Sequence, residues 1–168
     1  FLQKEQIAKD TYSFYFDRMS SDFDFLPGQY IRMTVPHENA DDRGTSRFFT
    51  IASSPLEKKH LMITTKLFQS TFKETLHTLS SGIPVQFFGP MGNFILDETD
   101  LTPRVFLAGG VGITPFHSMI QYAAAKKLQI PITLIVSFGK DEEVIFVEEL
   151  LTLTKKRPQI KVIYTISE

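Results

Sequence analysis

Arg47-Phe48-Phe49-Thr50, at the head of the segment RFFTIASSP, combines three groups suited to a ligand that carries both phosphate and a flat ring. The planar guanidinium of an arginine can make two parallel charge-assisted bonds to a diphosphate. Along an extended chain Arg47 and Phe49 share one face, while Phe48 and Thr50 share the other. An aromatic ring can lie against a planar ligand, and a hydroxyl can bond one of its ring nitrogens. Taken alone, the tetrapeptide suits an amphipathic barrel strand whose arginine sits at the rim better than it suits a ligand site. About sixty residues later, Ala108-Gly109-Gly110-Val111-Gly112-Ile113-Thr114-Pro115 offers a second phosphate device. Gly109, Gly110 and Gly112 allow a tight turn and a close approach of the main chain to a pyrophosphate. The helix that follows would present unpaired N–H groups and a partial positive charge. The spacing Gly110-x-Gly112-x-x-Pro115 puts proline where the dinucleotide fingerprint has its third glycine. A tight strand-to-helix turn without a ligand is the competing reading of this loop.

The elements that must position these residues change character near the middle of the chain. TYSFYFD (11–17), QYIRMTV after Leu26-Pro27-Gly28, RFFTIA, HLMITTKL, and PVQFF before Gly89-Pro90 read as short strands divided by turn chemistry. Such spacing predicts an antiparallel sandwich or barrel. TFKETLHTL (71–79) places Phe72, Leu76 and Leu79 at helical spacing and predicts one helix. The acidic loop Asp97-Glu98-Thr99-Asp100 and Pro103 then mark a boundary within 97–103. Residues 1–100 and 101–168 are read as two domains. RVFLA (104–108) is a continuous apolar run, expected as a strand buried on both faces. Thr114 is expected as the N-cap and Pro115 as the first-turn residue of a helix reaching about Lys126. PITLIVSF, EEVIFVEELLTLT and IKVIYTI continue as strand, helix and strand. The alternation predicts βαβ crossovers and a parallel sheet. Three strands and two helices make half of a doubly wound sheet, so this domain is expected to be incomplete at its C-terminal end.

Composition narrows the function classes. The 168 residues are 42% hydrophobic and 22% charged, with a formal net charge of -1. That balance gives no electrostatic reason to expect a nucleic acid or an anionic membrane as partner. No segment approaches the roughly 18 apolar residues of a membrane span, and no signal peptide is visible, so the expected location is cytoplasmic. Cysteine is absent, which removes disulfides, thiolate catalysis and cysteine-held iron–sulfur clusters from these residues. His37, His60, His77 and His117 are scattered, and no metal site is expected. His117 reads as a solvated or capping residue, Met33, Met62 and Met119 as core, and Lys155-Lys156-Arg157 as a solvated helix end.

The two phosphate motifs together suggest a flavin site followed by a pyridine-nucleotide site. PGQY (27–30), RFFTIASSP (47–55), STFKETL (70–76), GPMGNF (89–94) and LAGGVGITPF (107–116), in this order, resemble the ferredoxin–NADP⁺ reductase family of flavoenzymes over nearly the whole chain. The resemblance implies a six-stranded antiparallel Greek-key barrel that holds FAD (less often FMN). It implies a following α/β domain, with a parallel sheet, for NADH or NADPH. By the same resemblance Arg47 would bind the flavin phosphate, Phe49 would pack on the isoalloxazine beside Phe48, and Thr50 would hydrogen-bond near the reacting N5. Ser70 and Thr71 would take the remaining phosphate, and Thr65 and Lys66 would line the adenosine side. Gly109, Gly110, Gly112, Thr114, Pro115 and Ser137 would carry the nicotinamide nucleotide. Hydride would pass from nicotinamide to flavin, and electrons onward to an acceptor protein, fused domain or small molecule. A non-catalytic flavin-binding electron-transfer subunit is the alternative.

Three departures qualify what the resemblance implies. Phe49 stands where tyrosine is commoner. Ser137-Phe138-Gly139-Lys140 lacks the arginine that many NADPH-specific members place there, which leaves either Lys140 as a point charge for the 2′-phosphate or, with a slight lean, a preference for NADH. The chain also ends before the family's C-terminal Cys-Gly-type segment. Phe68 is left between covering the flavin's adenine and filling the barrel.

Overall fold

A computed structural model describes residues 1–18, 23–68 and 70–167. Six strands make up the N-terminal part: β1 (Gln3–Ala8), β2 (Thr11–Asp17), β3 (Tyr30–Thr34), β4 (Ser46–Thr50), β5 (His60–Lys66) and β6 (Gln86–Met91). They form two antiparallel three-stranded sheets, ordered β1-β2-β5 and β4-β3-β6. In each sheet one neighbour is not consecutive, since β5 returns to β2 and β6 to β3, a Greek-key kind of connection. Alternation explains the packing. Phe14 and Phe16 of β2, Ile31 and Met33 of β3, and Leu61 and Ile63 of β5 turn into one core. Helix α1 (Thr71–Thr78) adds Phe72 and Leu76 to it, as its periodicity requires. Strand β6 runs on through Gly89-Pro90, a cis peptide, to Met91, where the turn signal suggested an end.

The C-terminal part is a parallel sheet ordered β7 (Arg104–Gly109), β8 (Ile132–Phe138), β9 (Ile160–Ile166). Helices α2 (Thr114–Lys126) and α3 (Val147–Lys156) are the crossovers. Both pack on one sheet face, where Met119, Ile120, Ala123 and Leu150 meet Ile132, Leu134, Val136 and Phe138. The expectation that β7 is buried on both faces is corrected. Val105 and Leu107 are 67% and 72% exposed, because both described helices lie on the opposite face. The expected helix EEVIFVEELLTLT is also shorter than its pattern. Asp141–Glu143 form a 3₁₀ turn, and Phe146 holds a left-handed φ of 62°, so α3 can begin only at Val147.

Candidate functional site

The first site gathers at the N-terminus of α1. Arg47, at the second position of β4, turns its guanidinium over the Phe72 ring, 5.2 Å from the centroid. Its Nη2 donates to Asp41 Oδ1 at 2.6 Å, and its Nη1 donates to the carbonyls of Arg43, Gly44 and Ser46. The Asp41 backbone N–H in turn donates to Thr71 Oγ1 at 3.1 Å. Bonds from the Arg43 and Arg47 side chains hold the Asp41 carboxyl down at about 2. Lys73 lies close enough that, after burial, the charges of Arg43 and Arg47 are what lower its pKa. Three cations therefore crowd the first turn of a helix whose own dipole is positive at that end.

Ser70 sits directly before α1 with an extended backbone and is 8% exposed, and its hydroxyl finds no hydrogen-bond partner among the described residues. A buried hydroxyl left unbonded costs about 1–3 kcal/mol. An anionic group with several acceptor oxygens would satisfy it, together with the open N–H groups of the helix. The donor set thus fits a diphosphate. The sequence pointed to Arg47, Ser70 and Thr71 but passed over Arg43, Lys73 and the Asp41 latch, because loop residues 41–45 show no periodicity and Lys73 reads as an ordinary helix side chain.

Next to it, Tyr30, Phe48, Phe49 and Thr50 line an open cavity of about 260 Å³. Thr50 pairs with Tyr30 across the β3–β4 ladder. Phe49 stacks on Phe72 (centroids 5.8 Å apart) and packs, partly buried, against the N-terminal core, whereas Phe48 is 64% exposed and meets Tyr30 edge-on. The ring most open to a planar ligand is therefore that of Phe48. Thr65 is buried on β5. Lys66 is held by a short ion pair with Glu143 and lies over the Phe68 ring, which Lys73 also approaches. Phe68 is exposed and does not fill the barrel.

The second site is the glycine loop at the carboxyl ends of the parallel strands, where open α/β sheets take their ligands. Gly109, Ser137 and Thr165 stand in one row of the register. Gly110 adopts a φ of +50°, and Gly110–Ile113 form a 3₁₀ turn that runs straight into α2. A Cβ added at Gly109, Gly110 or Gly112 would meet, beyond the adjoining chain, no atom of the described residues within 4 Å. The space above the loop is open, as a cradle for a dinucleotide must be. Thr114 is not the N-cap expected of it: it is already helical, and its hydroxyl donates to Val111 O at 3.1 Å. The 3₁₀ turn delivers a helical backbone, so no extended cap residue is needed. Pro115 occupies the first turn, as expected.

The two sites meet through α2. His117 is fully buried and bonds to Ala52 O and to Glu149, so it is neither solvated nor a cap. Ser118 Oγ donates to Ser53 O. Gly28, φ +105°, lies so close to Phe94 O and Met119 Cε that a Cβ would stand 2.3 and 2.4 Å from them. Met33, Met62 and Met119 are buried, and Lys155 and Lys156 are exposed as expected, although Arg157 Nε donates to Ala124 O. Among the described residues no group of three His, Asp or Glu side chains could hold a metal ion, and no helix is long and apolar enough to cross a membrane.

Residues 1–95 match the family model of the oxidoreductase FAD-binding domain, and residues 106–168 that of the oxidoreductase NAD-binding domain. Over 139 residues the chain is 32% identical to methane monooxygenase component C of Methylosinus trichosporium, covering 82% of this chain and 39% of that protein. It is 28% identical to the toluate 1,2-dioxygenase electron transfer component of Pseudomonas putida (80% and 38% covered). It is 26% identical to ferredoxin–NADP reductase B of Sorangium cellulosum (86% and 59% covered). The chain thus spans between two-fifths and three-fifths of these relatives. In fold it resembles the cytochrome P450 reductase of Amycolatopsis, with a TM-score of 0.84 at 21% identity, over 98% of this chain and 50% of that one. The ferredoxin–NADP⁺ reductase of Plasmodium falciparum gives 0.82 at 19%, over 99% and 68%.

Proposed function

This chain belongs to the ferredoxin–NADP⁺ reductase-like oxidoreductases, with an FAD-binding domain followed by an NAD-binding domain, and from that premise we propose that it catalyses NADH-dependent electron delivery to an acceptor outside these residues. The observation that carries the FAD site is the buried, unbonded Ser70 hydroxyl beside Arg43, Arg47 and Lys73. Bound FAD supplies the hydride acceptor and the means of releasing electrons one at a time. The protein's share is placement and charge. Arg43, Arg47 and Lys73 neutralise the diphosphate, with Ser70, Thr71 and the first-turn N–H groups of α1 donating to its oxygens. Thr65, Lys66 and Phe68 border the adenosine end. Phe48, Phe49 and Tyr30 offer aromatic surface to the isoalloxazine, and the Thr50 hydroxyl is the donor at its reacting edge. Gly109, Gly110, Gly112, Thr114, Pro115 and Ser137 seat the nicotinamide nucleotide. Residues 1–100 perform the first task and 101–168 the second.

The preference for NADH follows from the segment after β8. Gly139-Lys140-Asp141-Glu142-Glu143 contains no arginine to fork a 2′-phosphate and ends in three acidic residues. No cysteine in these residues can hold an iron–sulfur cluster, so the onward acceptor lies on another domain or molecule. The relatives named as oxygenase components favour an oxygenase-type redox partner. The full-length protein, loaded with FAD, is expected to reduce ferricyanide with NADH in preference to NADPH. A rate independent of bound FAD would overturn the proposal.

A further inference from the structure

We infer that His117 is a positioning residue that locks the nucleotide-loop helix to the flavin-site strand and so fixes the distance between the two cofactor sites. The inference rests on the function proposed above. His117 and Ser118 stand three and four residues beyond Thr114, and Ala52 and Ser53 stand two and three beyond Thr50. The His117 Nδ1–H donates to Ala52 O at 2.8 Å; a carbonyl can only accept, so the hydrogen belongs to Nδ1. Ser118 Oγ donates to Ser53 O at 2.7 Å, and both side chains are fully buried. From the other side, Ala52 N–H donates to Met62 O at 2.7 Å, and Met62 N–H donates to Ser53 Oγ at 3.1 Å. The stretch after Thr50 is thus held between β5 and α2.

The imidazole is itself held on every side. Its Nε2 lies 2.9 Å from Glu149 Oε2, and its ring stacks on Phe146 with centroids 3.8 Å apart. Gln121, one turn along α2, holds the other oxygen of Glu149. The left-handed backbone of Phe146 brings that ring into the stack and starts α3 so that Glu149 faces the histidine. One ring therefore joins the barrel, α2 and α3 through two bonds and a stacked face. An apolar side chain could fill this space, but it would leave Ala52 O without its donor and the Glu149 carboxylate without its imidazole. Hydride transfer needs the reacting atoms aligned within fractions of an ångström, and a misplacement of about 1 Å can cost about a hundredfold. With separations of only two to four residues between each bond and its site, play at the lock becomes play between the sites.

The two bonds can be removed separately. An asparagine amide nitrogen lies where Nδ1 lies, and a glutamine amide nitrogen where Nε2 lies. His117→Asn, His117→Gln and His117→Leu are made in the full-length, FAD-loaded protein. Two quantities are followed: the limiting rate of flavin reduction by NADH with its half-saturation, and amide hydrogen exchange over residues 51–54 and 114–118. The exchange readout needs no turnover. The expected result is a loss of about ten- to a hundredfold in limiting rate for the Gln and Leu variants, with half-saturation unchanged. Exchange over 51–54 should quicken in the same two variants, and His117→Asn should retain wild-type behaviour in both. Should His117→Leu fail to fold, Ser118→Ala reads the adjacent bond to Ser53 in the same two assays. Wild-type rates in all variants, or His117→Asn falling as far as His117→Leu, would overturn the inference. If the wild-type protein is reduced by neither nucleotide, the proposed function fails instead, and unaltered exchange in His117→Leu would then overturn the lock separately.

Discussion

Arg47 shows how much one side chain is asked to do. Its guanidinium is packed on Phe72, bonded to three carbonyls and paired with Asp41. Arg47→Ala is expected to weaken FAD binding by about 1.5–3 kcal/mol, the scale of hydrogen bonds to a charged group, measured by flavin fluorescence titration. Unchanged affinity would remove Arg47 from the phosphate site. Asp41 supplies a pH test of the same cluster. Its carboxyl titrates at about 2 against an ordinary 3.8, lowered first by Arg43 and then by Arg47. A depressed carboxyl stabilises the fold above its unfolded value and loses that contribution as pH falls through the folded one. The stability difference between wild type and Asp41→Asn should therefore be full above 3.8 and vanish below about 2, as denaturant melts at a series of pH values would show. These residues were only partly legible in sequence. Arg47 and Ser70 announce themselves by type and by position beside a strand or a helix. His117 does not: its partners lie 65 and 32 residues away, and a lone histidine on a helix carries no sign of them.

At the scale of elements, the strands and helices follow their periods, and the misreadings fall where a single backbone dihedral decides. Phe146 in the left-handed region moves the start of α3, and nothing in EEVIFVEEL signals it. The 3₁₀ turn at Gly110–Ile113 makes Thr114 a helical residue, a distinction no capping rule draws from residue type. Glycines at positive φ carry the sharper predictions. Gly28→Ala combines a φ of +105° with close approaches to Phe94 O and Met119 Cε, where the barrel turn meets α2. It should destabilise the protein by about 1–3 kcal/mol through overpacking, visible in denaturant unfolding. Gly110→Ala meets no neighbour within 4 Å, so its cost is conformational, about 1–2 kcal/mol for a side chain in the left-handed region. Nucleotide affinity should fall with it. A Gly110→Ala protein that binds NADH normally would contradict the role given to the loop.

Across the whole molecule, the change from short strands with turns to alternating strands and helices carried the two architectures, antiparallel and then parallel, because strand and helix periods survive without any knowledge of contacts. Which faces are covered was not legible. RVFLA reads the same whether one side or two are packed, and only the placement of α2 and α3 on a common face shows that Val105 and Leu107 are exposed. The contact between the halves was equally hidden, since it uses carbonyls of residues 52 and 53 that no side-chain pattern marks. On the function proposed above, this arrangement brings a nicotinamide nucleotide to bound FAD. Anaerobic stopped-flow mixing of the FAD-loaded full-length protein with NADH and, separately, NADPH tests it most directly. Rapid bleaching of the oxidised-flavin absorbance, faster with NADH, is the result expected. A flavin that stays oxidised with both nucleotides would mean that no hydride passes between the two sites.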